Sequence, residues 1–147
     1  MAAIVYKGWH YARGAGLLEG TPDVRNILVM SSFSGAAQPL AVNLDDFVDL
    51  DEFDGVGYVR QDCAGVSAAY EDADEEWQLD WDDDTEAFGA DVAPGAEVVL
   101  GMVTFLWVDG TPANDIALGF TDSGFGVNAA NGKLGLTLPV GGLIYNA

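Results

Sequence analysis

The chain has 147 residues, half of them hydrophobic, which suits one domain with a packed core and leaves little room for a second. It carries 24 acids against five bases (Lys7, Arg13, Arg25, Arg60 and Lys133), a net charge of −19. Such a surface repels phosphate backbones and anionic lipid headgroups, which speaks against nucleic acid or a membrane surface as a partner.

In chain order, the start comes first. Met1 to Leu18 lacks a basic region followed by a long apolar core, so no secretory signal is expected. Ile4, Tyr6, Trp9, Tyr11 and Leu17 fit one side of a short helix, while Gly8, Gly14 and Gly16 each oppose a helix by about 1 kcal/mol relative to Ala. A short helix and an extended arm both remain open. Gly20–Thr21–Pro22–Asp23 signals a turn, which suggests an N-terminal arm over 1–22 and one β domain over 23–147. Aromatic-rich termini dock onto other surfaces, so Tyr6, Trp9 and Tyr11 are the expected partner-docking residues.

Arg25–Met30 reads as a buried strand, and Ser31–Pro39 as a small-residue loop. Leu44–Asp54 alternates acids with apolar anchors, Leu44, Phe47, Val48, Leu50 and Phe53, and predicts an ordered surface loop or a single helical turn. Gly57–Asp62 and Val66–Tyr70 predict short strands. Trp77–Asp82 alternates with period two, as a half-buried strand does. Glu97–Val108 is the most hydrophobic segment and predicts the central strand; its apolar run is about half a bilayer span. Asp109–Gly110 marks a turn, Ile116, Leu118 and Phe120 alternate, and Asn131–Gly132 precedes the alternating Leu134, Leu136 and Leu138. Leu143–Tyr145 closes the chain. About eight short antiparallel strands with turns between them predict an all-β protein, a sandwich or barrel. The expected product is soluble and made in the cytoplasm.

Charge is unevenly spread: 18 of the 24 acids lie between Asp45 and Asp91, with Arg60 as the one base there. The final third is close to neutral, which suits a docking surface. His10 is the only imidazole and no nucleophile motif stands near it, so no catalytic residues are assigned. Cys63, the only cysteine, reads as a small core residue, and one His with one Cys cannot close a tetrahedral zinc site. Asp80, Asp82 and Asp84 stand at positions 1, 3 and 5 of a partial calcium loop, but Thr85 replaces its turn glycine and Asp91 its bidentate Glu. They are a weak metal candidate, and no cofactor is expected. Trp77 and Trp81 beside acids suggest a sugar-binding or sugar-cleaving cleft; their shared parity with Leu79 places them instead in the core. The charge also fits a mimic of a phosphate surface.

Several segments together carry a resemblance. These are "RNILVM", the acidic "LDDFVDLDEFDGVGYVR", "YEDADEEWQLDWDDDTEAFG", the apolar "VVLGMVTFLWVDG", "NDIALGFTDSG" and the closing "NGKLGLTLPVGGLIYNA". In this order they resemble small virion structural proteins of tailed bacteriophages, over about residues 4–147. In that group a D-E-F/Y-D-G-x-G-Y stretch precedes an acidic turn and a C-terminal hairpin; Lys133 stands here where a second glycine is common. The resemblance implies a non-enzymatic head or tail accessory protein. Its first expectation is a capsid decoration protein on the virion surface, partnered by the major capsid protein or other virion subunits and self-associating. The alternatives are a tail, neck or fibre component and a carbohydrate- or receptor-binding β module.

Overall fold

The structure is a computed structural model and describes residues 3–71, 76–82, 88, 89, 92, 99–122, 126–130, 133–137 and 143–146. The chain is mainly β. Among the described residues there are ten strands, β1 (Ala3–Val5), β2 (Val24–Val29), β3 (Gln61–Asp62), β4 (Ser67–Glu71), β5 (Glu76–Asp80), β6 (Gly101–Leu106), β7 (Ile116–Thr121), β8 (Gly126–Ala130), β9 (Lys133–Thr137) and β10 (Leu143–Asn146). One helix, α1 (Lys7–Gly14), and two 3₁₀ turns, Gly35–Ala37 and Leu44–Asp46, complete the described elements.

The principal sheet has the order β1-β7-β6-β2-β3 and is antiparallel throughout. Among the described residues it ends at β1 and β3 and does not close into a barrel. A second sheet runs β10-β5-β4, and β8 pairs with β9 in a separate hairpin.

Antiparallel sheets commonly leave one face in water. Here every residue of β6 and β7 is buried, because both faces of the principal sheet are covered. One face presents Ile27, Val29, Val103, Phe105, Ala117 and Phe120 to Tyr6, Phe33, Leu44 and Phe47. Rings of Phe33 and Phe47 meet edge-on at 5.3 Å, and Tyr6 meets Phe47 at 5.1 Å. On the other face, Val24, Leu106 and Leu118 pack with Trp9, Ala12 and Leu18 and with Leu79 of β5. Farther along, Leu28 and Met102 meet Phe53, Phe88, Val92 and Val99. A register shift between Thr104 and Phe105 sets Phe105 opposite Ala117, and Leu118 joins the cluster on the far face.

Among these apolar side chains lies a buried polar triad. Asn26 donates from Nδ2 to Gln61 Oε1 at 2.7 Å, and Thr104 donates from Oγ1 to Asn26 Oδ1 at 2.6 Å. All three residues are buried, and the mutual bonds offset the desolvation that such groups otherwise suffer. The triad ties β2, β3 and β6 together at a fixed register.

The N-terminal segment, expected as an arm over 1–22, packs onto the principal sheet from Ala3 onward. β1 pairs with β7, Ala3 opposite Thr121 and Val5 opposite Gly119. α1 then lies directly on β7: a Cβ built at Gly8 would sit 2.1 Å from Ala117 O and 2.6 Å from Val42 O. The helix therefore tolerates a poor helix former, because only glycine permits this approach. The first helical N–H groups, which lack partners inside a helix, are taken up by the neighbouring chain. Lys7 N donates to Pro39 O at 2.9 Å and Gly8 N to Ala41 O at 3.0 Å.

Two other expectations shift. Of the predicted strand Gly57–Asp62, only Gln61–Asp62 pairs in a ladder. The Tyr58 hydroxyl instead accepts the Leu28 N–H at 3.1 Å, so a side chain replaces a strand partner there. In the acidic segment Leu44, Phe47 and Phe53 are buried as anchors, whereas Val48 faces water.

Candidate docking surfaces

The residues singled out from sequence are dispersed. Tyr6 and Trp9 are fully buried, so as docking groups they are overturned: their side chains already fill the chain's own core. The Tyr6 hydroxyl donates to Gly35 O at 3.2 Å, and burial pushes its phenol above the ordinary tyrosine range. Tyr11 alone of the three reaches solvent, 55% exposed on the outer side of α1. His10 is exposed beside it.

Asp80 and Asp82 are exposed at the end of β5 and just beyond it, and Asp84 lies outside the described residues. Asp80 Oδ1 accepts the Trp81 N–H at 2.9 Å, and the Asp82 carboxylate lies over Gly65, where a Cβ would meet it at 2.4 Å. Among the described residues no three His, Cys, Asp or Glu side chains gather in a group able to hold a metal ion. Trp81 is half-buried, wedged against the core on the far face of the sheet, which is no stacking platform. The Trp77 backbone pairs with Tyr70 and Tyr145; its side chain lies outside the described residues. Cys63 is half-buried and accepts a contact from Asn26 Nδ2 at 3.3 Å. Burial, reinforced by the charges of Asp62 and Asp23, pushes its thiol up to about 12. That leaves it protonated and a poor nucleophile at neutral pH.

Two surfaces do have the character of docking sites. The first is the loop over 34–49. Leu40 is 78% exposed and Val48 88% exposed, the latter more than any other large hydrophobic among the described residues. Neither is out there through slackness. Gln38 Oε1 accepts the Val48 N–H at 3.0 Å while its Nε2 donates to Asp46 O at 3.1 Å. Ser34 Oγ accepts the Asp49 N–H at 2.9 Å, and Asp46 Oδ2 accepts the N–H groups of Val42 and Asn43 at 2.8 and 2.9 Å. Those two backbone donors hold the Asp46 carboxyl below its usual range. Beside Leu40 is a shallow recess of about 380 Å³ lined by Ala37, Gln38, Pro39, Ala41 and Asp46.

The second surface is an open groove of about 710 Å³ between α1 and the β6–β7 turn. Tyr11 and Leu17 form one wall, Val108, Ala113 and Asn114 the other, and Leu106, Trp107 and Ile116 lie between them. Arg25 stacks on the Trp107 ring at 4.6 Å and is itself held by Asp23 through bonds of 2.9 and 3.1 Å. Asp115 fixes the turn wall: its buried carboxylate accepts, at Oδ1, the N–H groups of Val108, Asp109 and Gly110 at 2.8, 3.3 and 3.2 Å. Asp109 caps the same turn, accepting the N–H of Thr111 and the Nδ2 donor of Asn114.

No protein-family model matches the chain, and no curated protein or solved structure matches it. Among the described residues no helix is long and apolar enough to cross a membrane.

The exposed positions were hard to find from sequence. Val48 stands in an alternating stretch that signals anchors, and Leu40 follows a proline in an unpatterned loop. Side-chain hydrogen bonds hold the backbone at Val48, and the Lys7 and Gly8 N–H groups hold the carbonyls on either side of Leu40.

Proposed function

We propose that this chain is a structural subunit of a tailed-phage virion, a decoration protein that binds the major capsid lattice. One observation carries the reading: Leu40 and Val48 stand in water on a loop whose backbone is braced by its own side chains at Val48 and by α1 on both sides of Leu40. An aliphatic side chain recovers about 1.5–3 kcal/mol on full burial. A loop free to relax would tuck such groups away. A loop braced against relaxing keeps them ready for a partner, with the ordering cost already met before contact.

Two anchors per copy give a weak contact, and weakness suits a subunit present many times over on a lattice, where repeated contacts add up. The acids concentrated between Asp45 and Asp91 keep decorated particles apart by charge. The segment order described from the sequence supports the same reading through its resemblance to phage virion proteins.

The test is the place and number of this chain in a map of the intact particle. About a hundred or more copies spread over the head agree with decoration. About a dozen or fewer at the vertex or tail would instead make it a neck, tail or fibre component.

A further inference from the structure

Two Asp–Gly pairs occur in the chain, Asp54–Gly55 and Asp109–Gly110. Such a pair carries a latent reaction. The Gly backbone nitrogen loses its proton and attacks the Asp side-chain carboxyl carbon; water leaves, and a five-membered succinimide closes. Water then opens the ring. Breaking the bond between that nitrogen and the main-chain carbonyl carbon leaves isoaspartate, an isomer whose backbone runs through the side chain and is one methylene longer. One water is released and one taken up, so no other reactant is needed. The attack requires a free N–H, a carboxyl able to take up a proton, and room to swing one toward the other. Glycine favours it because no side chain obstructs the approach.

The fold treats the two pairs differently. At 109–110 the Gly110 N–H, the nitrogen that would attack, donates to Asp115 Oδ1 at 3.2 Å. Asp109 is held at both oxygens: Oδ1 accepts the Thr111 N–H at 2.8 Å, and Oδ2 accepts from Asn114 Nδ2 at 2.7 Å. The Thr111 N–H and the Asn114 amide hold its carboxyl below the usual range, in the charged form that the attack cannot use. At 54–55 the Asp54 carboxylate is exposed. Among the described residues nothing donates to it and nothing accepts the Gly55 N–H. Gly55 is itself buried, but the reaction joins adjacent groups and the ring meets water on the Asp54 side.

We propose that, of the two pairs, Asp54–Gly55 is the one that isomerises to isoaspartate in the folded chain, while Asp115 and Asn114 guard Asp109 against the same change. The consequence falls on the packing beside the site. Leu28 is bonded on both sides of it: the Phe53 N–H donates to Leu28 O at 2.8 Å, and the Tyr58 hydroxyl accepts the Leu28 N–H at 3.1 Å. An extra methylene between Phe53 and Tyr58 lengthens a span whose ends are fixed on one residue. It therefore loosens the contacts of Phe53 and Phe88 with the Tyr58 ring. The modification is independent of shell docking, which uses the 34–49 loop.

Ageing of the purified chain at neutral pH and body temperature tests it, with isoaspartate located by peptide mapping and electron-transfer fragmentation. Deamidation at Asn131–Gly132 changes the mass and is counted apart. We expect isoaspartate at residue 54 to exceed that at residue 109 at least about tenfold, because hydrogen bonds to charged acceptors must break before Gly110 can attack. In urea, where neither pair is held, the contrast should vanish. Asp115→Ala should raise the yield at residue 109, and Asn114→Ala, which leaves the Gly110 bond in place, should raise it less. Asp54→Glu should abolish the product at 54, since closure then needs a six-membered ring, and after ageing it should unfold at higher urea than aged wild type. Comparable yields at the two pairs in the folded chain would overturn the proposal. So would no isoaspartate at residue 54, a contrast that survives in urea, or an Asp109 that stays intact when Asp115 and Asn114 are both replaced by Ala.

Discussion

Residues 3–18, which supply the sheet's edge strand β1 and the helix packed on it, and residues 34–49 dispose of their apolar side chains in opposite ways. The first segment turns Tyr6, Trp9, Ala12 and Leu18 inward, where they complete the core on both faces. The second buries Phe33's neighbours Leu44 and Phe47 and leaves Leu40 and Val48 in water. Backbone pinning accounts for the difference. In the N-terminal segment the pinning is by ladder pairing with β7 and by helix donors bonded to Pro39 and Ala41, which press the segment onto the sheet. Beyond those two helix contacts, the loop is pinned by its own side chains, Ser34, Gln38 and Asp46, which fix its shape without pressing every apolar group inward. The first segment builds the fold, and the second leaves two aliphatic side chains in water.

The contrast breaks most severely at the N-terminal segment. Trp9→Ala should cost about 3–5 kcal/mol, read from urea unfolding, because a fully buried indole leaves a cavity that the sheet cannot refill. Gly8→Ala should approach the same loss by forcing α1 off β7. If either variant unfolds like wild type, residues 3–18 are an appendage after all.

Asp115→Ala comes next, at about 2–4 kcal/mol, since three backbone N–H groups lose their acceptor at once. Asp115 also accepts the Leu44 N–H through its own carbonyl, so amide exchange should quicken in both the β6–β7 turn and the start of the acidic loop.

Gln38→Ala should cost only about 1 kcal/mol, yet accelerate exchange of the Val48 amide well beyond that of β6 amides. An unchanged Val48 amide would show that the loop is not braced by this side chain.

The smallest effect concerns pH. Asp46 has a lowered pKa in the folded chain through the N–H groups of Asn43 and Val42. Its contribution is therefore present above the ordinary aspartate range and lost as pH falls through the lowered value. The group is largely solvated, so the loss should stay below about 1 kcal/mol. Replacing it, as Asp46→Asn, should flatten the acid side of the stability–pH curve by that amount.

The fold was readable where pattern and packing coincide. The apolar run before Asp109–Gly110 and the alternation of Ile116, Leu118 and Phe120 correspond to β6 and β7, and the charge-free stretch 27–30 falls on β2 up to Val29. Reading failed where a tertiary contact reverses a local preference. Gly8 argues against a helix in isolation, and the carbonyls of Ala117 and Val42 that require it come from distant parts of the chain. Tyr58 breaks a predicted strand because its hydroxyl serves Leu28. The aromatic side chains of Tyr6 and Trp9 mark burial as strongly as they mark docking, and sequence alone does not separate the two. Val48 follows Phe47 just after the turn at Leu44–Asp46, so periodicity across that turn carries no information on which side it faces.

The most direct measurement is co-sedimentation of the purified chain with capsid shells stripped of their accessory proteins, comparing wild type with the Leu40→Asp, Val48→Asp double variant. Wild type should saturate the shells, and the variant should bind at least about tenfold more weakly while unfolding at the same urea concentration. Equal binding by the variant, or no binding by wild type, would contradict the account.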